Sequence, residues 1–207
     1  MNITIIGTGN MARGIATRAL EGGHGVTLLG TEQAKAESLA AELPGEAQAG
    51  AVGDPLSGDV VVLAVWYQAV PDVLARYGDQ LDGKVVVDIT NPVDPETYAP
   101  LTVAAGSVAQ EIAGTVPGAK VVKAFNTTFA GTLVDGEVAG TPLDVFVAGD
   151  DDEAKRVVAQ LATDGGLRAI DVGPLALAHQ LEGAGYLNMA VQPALGTNYG
   201  SALKVVA

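Results

Sequence analysis

Short apolar runs, many of them β-branched, alternate along the chain with longer segments of helical composition. Ala-, Leu- and Glu-rich segments predict helices at 10–21, 32–42, 67–80, 107–114, 151–164 and 174–191. The apolar runs predict strands at 2–6, 25–29, 59–65, 84–88, 120–124, 143–148 and 167–171. Continuous apolar strands separated by helices are typical of parallel strands that are covered on both faces. The pattern therefore predicts an α/β fold with a doubly wound, mostly parallel sheet and helices on both of its faces.

The chain shows no internal repeat and no low-complexity linker, so we expect a single domain over residues 1–207. Its core is predicted over residues 1–172, followed by a C-terminal helix over 173–192 and a tail over 193–207. A length of 207 residues, 48% of them hydrophobic, suits one domain with a sizeable core.

Charge and composition narrow the possible partners. The net charge of −13 disfavours binding to nucleic acids and to anionic membranes. The opening residues Met1-Asn2-Ile3-Thr4 lack the basic segment of a signal peptide, and no apolar run is long enough to span a bilayer, so we expect a cytoplasmic protein. The chain has no cysteine, and its two histidines lie far apart, so we expect no disulfide and no bound metal.

A glycine motif stands where the first predicted strand meets the first predicted helix. It is the G-x-G-x-x-A sequence Gly7-Thr8-Gly9-Asn10-Met11-Ala12. In a dinucleotide-binding turn, the first glycine allows the tight turn, the second lets backbone approach the pyrophosphate, and the third small residue lets the helix pack on the strand. The free N–H groups of the helix terminus then face the phosphates. The motif in this context predicts a Rossmann domain that binds NAD(P); a tight turn without a ligand is the structural alternative.

The end of the second strand bears on the choice between NAD and NADP. NAD-binding domains usually place an acidic residue there to bind the ribose 2′-hydroxyl, whereas this chain has Gly30. Gly30 leaves room for a 2′-phosphate, Thr31 offers donors, and Lys35 offers a positive charge. Glu32 argues against this interpretation, because a carboxylate beside a phosphate is repulsive. Thr31 is also a natural N-cap for the next helix, and Lys35 is also compatible with an ordinary surface position. Taken together, the residues after the second strand favour NADP(H) over NAD(H) as the cofactor.

Five segments together match one family. They are Gly7-Thr8-Gly9-Asn10-Met11, Leu63-Ala64-Val65-Trp66, Val87-Asp88-Ile89-Thr90-Asn91-Pro92, Val122-Lys123-Ala124-Phe125-Asn126-Thr127 and Asp171-Val172-Gly173-Pro174-Leu175. The set resembles the NADPH-dependent reductases of the deazaflavin coenzyme factor 420. It is also similar to the cytoplasmic domain of the metalloreductases that pass electrons from NADPH to flavin. The chain departs from the family pattern at Thr31-Glu32, at Val65-Trp66 and in the C-terminal segment.

The resemblance implies a site at the carboxyl ends of the strands. It places Ala64, Val65, Trp66, Asn91 and Pro92 along the cofactor, and Ala124, Phe125 and Asn126 beside the nicotinamide. It implies hydride transfer between NADP(H) and a deazaflavin or flavin held face to face, which requires proximity rather than a catalytic acid or base. The smallness of Ala124 would allow close approach of the rings. The family resemblance also implies a homodimer.

Other interpretations of the same residues remain open. Ala124 and Trp66 are compatible with core packing, Asn91-Pro92 with a plain turn, Asn126 with a loop contact, and His179 with an exposed structural position. The glycine motif also suits a pyrroline-5-carboxylate reductase-like or hydroxyacid dehydrogenase-like enzyme, although those families use a further helical domain. A non-catalytic NADPH-binding sensor is the alternative outside enzymes.

Overall fold

The computed structural model describes residues 1–206, so Ala207, the last residue of the predicted tail, lies outside the described residues. An eight-stranded sheet forms its centre, in the order β10-β9-β6-β5-β4-β1-β2-β3. Strands β1 to β6 are parallel, whereas β9 pairs antiparallel with β6 and parallel with β10. The strands are β1 Asn2–Ile6, β2 Gly25–Gly30, β3 Ala47–Ala51, β4 Val60–Leu63, β5 Val85–Asp88, β6 Lys120–Lys123, β9 Asp144–Gly149 and β10 Arg168–Gly173; β7 Glu137–Val138 and β8 Thr141–Pro142 form a separate hairpin.

Helices cover both faces of the sheet, as the sequence predicts. Along β4, Val60 and Val62 belong to one buried apolar cluster, whereas Val61 and Leu63 belong to a second cluster on the opposite face. Alternate residues of a strand point to opposite faces, so a strand that is apolar throughout is buried on both sides. The helices are α1 Asn10–Glu21, α2 Gln33–Glu42, α3 Val70–Tyr77, α4 Val108–Thr115, α5 Ala130–Asp135, α6 Asp152–Asp164, α7 Ala178–Ala190 and α8 Gln192–Leu195.

Several boundaries differ from the sequence prediction. The edge strand β3 has the sequence Ala-Gln-Ala-Gly-Ala, which lacks the β-branched residues of the other sheet strands, so the sequence pattern does not predict it. Helix α5 and the β7–β8 hairpin also lie in a segment predicted as a connection. The prediction that Thr31 caps α2 is wrong, because Glu32 occupies the N-cap position and α2 begins at Gln33.

The described residues 1–206 include no cluster of three or more His, Cys, Asp or Glu side chains that could hold a metal ion. None of the helices over the same residues is long and apolar enough to cross a membrane.

Candidate active site

A cleft opens at the carboxyl ends of β1, β4 and β5, where the glycine motif meets the loops that follow β4 and β5. Its cavity has a volume of about 620 Å³. The cavity is lined by Gly7, Thr8, Gly9, Asn10, Met11, Ala64, Val65, Trp66, Tyr67, Ala69, Ile89, Thr90, Asn91, Val93 and Met189. The carboxyl edge of an open α/β sheet is where such folds bind ligands.

The two glycines of the motif have different structural roles. Gly7 has a φ of +124°, and a Cβ added to it would stand 2.2 Å from the carbonyl oxygen of Ala64. Gly9 is the N-cap of α1 with a φ of −84°, and a Cβ there would meet no atom within 4 Å. Gly7 is therefore required by the fold, whereas the space above Gly9 is free for a ligand.

The amino end of α1 faces this space. No side chain caps it, and its first turn contains no acidic residue, so nothing in the helix competes for an anion at its free N–H groups. Ala12 is completely buried, as expected for the residue that brings α1 close to the sheet. These features fit the pyrophosphate of a dinucleotide.

The loop after β4 supplies one wall of the cleft. The N–H of Ala64 donates to the carbonyl of Ile6, which fixes this loop against the end of β1. Trp66 is 52% exposed and makes an edge-to-face contact with the ring of Tyr98, with centroids 6.4 Å apart. An aromatic pair of this size at the rim offers a flat apolar surface to a bound ring, and Trp66 does not pack in the core.

Asn91 and Asn126 form a reciprocal pair between the loops after β5 and β6. The Asn91 Nδ2 donates to the Asn126 carbonyl at 2.8 Å, and the Asn126 Nδ2 donates to the Asn91 Oδ1 at 2.9 Å. Helix α7 packs against the pair at Gly185, where a Cβ would stand 2.8 Å from the Asn91 Oδ1. The Asn126 Oδ1 is buried without a partner in the described residues.

A second cavity of about 400 Å³ adjoins the first on the side of this asparagine pair. The two cavities share Asn10, Met11, Ile89, Asn91 and Met189. The far wall of the second cavity includes Phe129 and Tyr199, whose rings meet edge to face at 5.2 Å. Two adjoining compartments with a common wall can hold two flat molecules in contact.

Ala124 and Phe125 lie in the core of the protein, whereas the family resemblance implied a place beside the nicotinamide. Their exposures are 0% and 1%, and both belong to the buried apolar cluster on one face of the sheet. Ala124 and Phe125 line neither of the two cavities, so two rings bound in these cavities would not meet over Ala124 as expected. Phe125 adopts a φ of +61°, which turns the chain at the end of β6 and directs its ring into the core. Only Asn126 of this trio reaches a cavity wall.

The three residues predicted to bind the 2′-phosphate do not line the first cavity: Gly30 ends β2, Thr31 follows it, and Lys35 lies in the first turn of α2. Gly30 is buried, and a Cβ there would stand 2.9 Å from the side chain of Thr8. Thr31 is exposed, and the Lys35 ammonium pairs with the Glu32 carboxylate at 2.5 Å. Glu32 thus competes for the cation that the sequence assigned to a phosphate. Pro92 lines a third cavity, on the other side of the Asn91 loop.

A buried charge network lies behind the asparagine pair, and sequence reasoning did not assign it a role. Lys123 is fully buried and donates to the Asp88 Oδ2 at 2.8 Å, the Glu182 Oε1 at 2.7 Å and the Thr90 carbonyl at 2.5 Å. It thereby joins β5, β6, α7 and the loop that lines the cleft. The sequence feature that points to this network is the pair Asp88 and Lys123, each at the carboxyl end of a short Val-rich strand. Charged residues at such positions are buried only when they are paired with each other.

Comparison with known proteins identifies the family. The family model described as NADP oxidoreductase coenzyme F420-dependent matches residues 2–92. The F420-dependent NADP reductase of Methanothermobacter thermautotrophicus is 34% identical over 201 residues, which cover 88% of this chain and 85% of the relative. The chain belongs to the F420-dependent NADP reductase family.

Three further proteins are similar to this chain over different shares of their own length. A solved structure from Arthrobacter sp. fb24, provisionally assigned as an F420-dependent NADP-reductase, has 32% identity and a TM-score of 0.85, with 99% of both chains covered. The metalloreductase STEAP3 of Rattus norvegicus is 32% identical over 180 residues, which cover 87% of this chain but 35% of the relative. The chain therefore spans about a third of that metalloreductase. It matches 55% of the F420-dependent NADP reductase of Methanocaldococcus jannaschii.

Proposed function

We propose that this NADP-dependent oxidoreductase transfers a hydride between NADP(H) and the deazaflavin coenzyme F420 or a flavin-type acceptor. The observation that carries the proposal is the pair of adjoining cavities, which meet at Met11, Asn91 and Met189 beside the glycine turn. Hydride transfer requires two ring systems in contact, and the shared wall provides such a meeting point. The resemblance to the archaeal reductases indicates the identity of both ring systems.

The cofactor would extend along the first cavity. Backbone N–H groups of residues 8–11 would hold the pyrophosphate, and Gly30, Thr31 and Lys35 would lie near the adenosine ribose and its 2′-phosphate. Ala64, Val65 and Trp66 would line the nicotinamide half, with Asn91 at its end. Lys35 would have to leave Glu32 in order to reach the phosphate.

The acceptor would occupy the second cavity. Phe129, Met189 and Tyr199 offer apolar surface to a flat ring, and the unpartnered Asn126 Oδ1 offers an acceptor to a ring or carboxamide N–H. When both molecules are bound, NADPH supplies the hydride and a solvent proton completes the reduction of the acceptor. The protein contributes the positions of the two rings and a cleft that limits access of water.

We also propose that the enzyme acts as a homodimer in the cytoplasm, where NADPH is produced. Leu187 on α7 and Leu195 on α8 are 59% and 54% exposed, and a partner subunit would cover such side chains. Sedimentation equilibrium of the wild type and of Leu187→Glu tests this assembly: we expect a dimer for the first and a monomer for the second. A wild-type monomer at micromolar concentration would exclude the dimer.

The proposed reaction is tested by mixing the purified protein with NADPH and oxidised F420 and following the loss of deazaflavin absorbance. Free flavin in place of F420, and NADH in place of NADPH, are parallel reactions. Rapid loss with NADPH and F420 supports the proposal in full, and loss with flavin alone selects the flavin acceptor. Tight NADPH binding without reduction of either acceptor would refute the hydride transfer and leave a sensor.

A further inference from the structure

A third cavity, of about 310 Å³, lies between α7 and the loop that follows β5. Much of its wall is apolar, with Pro92, Val93, Pro100, Leu101 and Val103 on the loop. Its polar groups include Glu182 and Tyr186 on α7 and, at an exposed position, His179. The proposed hydride transfer uses the other two cavities, so this one has no assigned occupant.

Glu182 has one oxygen that is fully engaged and one that is not. Oε1 accepts hydrogen bonds from the Lys123 Nζ at 2.7 Å and from the Val108 N–H at 2.9 Å. Oε2 makes no hydrogen bond with residues 1–206 and, unlike the Asn126 Oδ1, it keeps some contact with solvent. An ionised carboxylate oxygen that is open in this way can accept a hydrogen bond from a charged donor. Since Glu182 forms part of the cavity wall, a ligand in the cavity can reach this oxygen.

The charges around Glu182 do not balance. Asp88 and Glu182 carry two formal negative charges, and within residues 1–206 Lys123 carries the only full positive charge in contact with them. The amino end of α4 at Val108 adds about half a positive charge. Burial raises the pKa of Glu182, the contacts with Lys123 oppose this effect, and the Asp88 charge adds to it. A cation placed at Oε2 would complete the neutralisation of the network.

We propose that the third cavity binds a small organic cation, a protonated primary amine, with its ammonium group on the Glu182 Oε2 and its apolar body against Pro92, Leu101 and Val103. The volume admits on the order of ten non-hydrogen atoms, at about 30 Å³ for each water-sized group. Asn91 and Val93 line both this cavity and the cofactor cleft, so an occupant contacts the loop that borders the nicotinamide half.

The test compares three ligands of nearly the same shape and different charge. Benzylammonium, benzyl alcohol and benzoate are titrated into the full-length protein without NADPH, and binding is followed by two-dimensional amide NMR at physiological salt. We expect benzylammonium to bind at least about tenfold more tightly than benzyl alcohol, the effect of one charge-assisted hydrogen bond, and benzoate not to bind. The amide shifts should centre on Val103, Glu182 and Gly183.

Two variants distinguish binding in the third cavity from nonspecific binding to the acidic protein surface. Glu182→Gln keeps the shape of the side chain, leaves Lys123 paired with Asp88, and should abolish the preference for the ammonium. Gly183→Leu should block the cavity without disturbing the fold, because a Cβ at Gly183 meets no atom within 4 Å, and should weaken both benzylammonium and benzyl alcohol.

Three results would overturn the proposal: equal affinity for benzylammonium and benzyl alcohol, no binding of either, or amide shifts spread over the acidic surface and unchanged in Gly183→Leu. Because NADPH and F420 are absent from these titrations, such a failure leaves the proposed hydride transfer unaffected.

Discussion

Gly7 and Ala64 approach each other so closely that a Cβ on Gly7 would stand 2.2 Å from the Ala64 carbonyl oxygen. Their strands are paired neighbours, with Ile6 opposite Leu63, so both residues leave the sheet at the same edge. The contact joins the glycine turn to the loop that ends in Trp66. The first glycine of the motif thus serves the packing of two loops, and the second leaves space for a ligand.

Gly7→Ala and Gly9→Ala should therefore fail in different ways. We expect Gly7→Ala to lower the free energy of unfolding by more than about 2 kcal/mol, because of its positive φ and the clash with backbone. Gly9→Ala should leave the melting temperature of the unliganded protein within about 2 °C of wild type and weaken NADPH binding about tenfold or more. Thermal melts and fluorescence titrations with NADPH measure the two effects. Equal loss of stability in both variants would contradict this division of roles.

Glu32 and Lys35 should control the choice of nicotinamide cofactor. Glu32→Gln releases the Lys35 ammonium from its ion pair, and we expect NADPH affinity to rise about two- to fivefold, as is typical of one exposed charge contact. Lys35→Ala should lower it by a similar factor. NADH affinity serves as the internal control and should stay constant in both variants. A parallel change for NADH would show that the pair acts on the fold instead of the 2′-phosphate.

Gly185 should set the distance between α7 and the asparagine pair. A Cβ at Gly185 would stand 2.8 to 2.9 Å from atoms of Asn91 and Asn126, so Gly185→Ala must push the helix or the loops apart. We expect a loss of about 1–3 kcal/mol in unfolding free energy, as for an overpacked core, together with a lower turnover of acceptor. Gly183→Ala lies on the same helix in open space and provides the matched control. Unchanged turnover in Gly185→Ala would show that the position of α7 does not affect the acceptor site.

Asp144 should make stability depend on acid pH. Burial raises the pKa of its carboxyl, but hydrogen bonds from Arg168, Lys204 and the Val205 N–H outweigh that effect and hold the pKa at about 2 instead of 3.8. A carboxyl with a lowered pKa stabilises the fold above its unfolded value, and this contribution, about 2 kcal/mol, is lost as the pH falls from about 4 through 2. Urea unfolding of the wild type and Asp144→Asn should therefore differ most at neutral pH and converge towards pH 2. A difference that stays constant over this range would rule out the assigned cause.

Much of the fold could be predicted from local patterns. Strand Val60–Leu63 is apolar along its whole length, and Val85–Asp88 is apolar up to its last residue. Only burial on both faces explains that pattern. The parallel sheet and the glycine turn follow from this pattern and from the Gly7–Ala12 spacing. The antiparallel direction of β9 and the edge strand β3 could not be predicted in this way, because strand direction and the pairing of a weakly apolar segment depend on distant neighbours.

For the site, the sequence by itself determined the glycine turn and the loops after β4 and β5, since these are encoded by adjacent residues and lie at one edge of any parallel sheet. Only the tertiary structure decided that Ala124 is buried away from the cavities. It also decided that Lys123 meets Glu182, which lies 59 residues away in the chain. The physical reason is that burial and charge pairing depend on which elements pack together, and local sequence carries no record of such distant contacts.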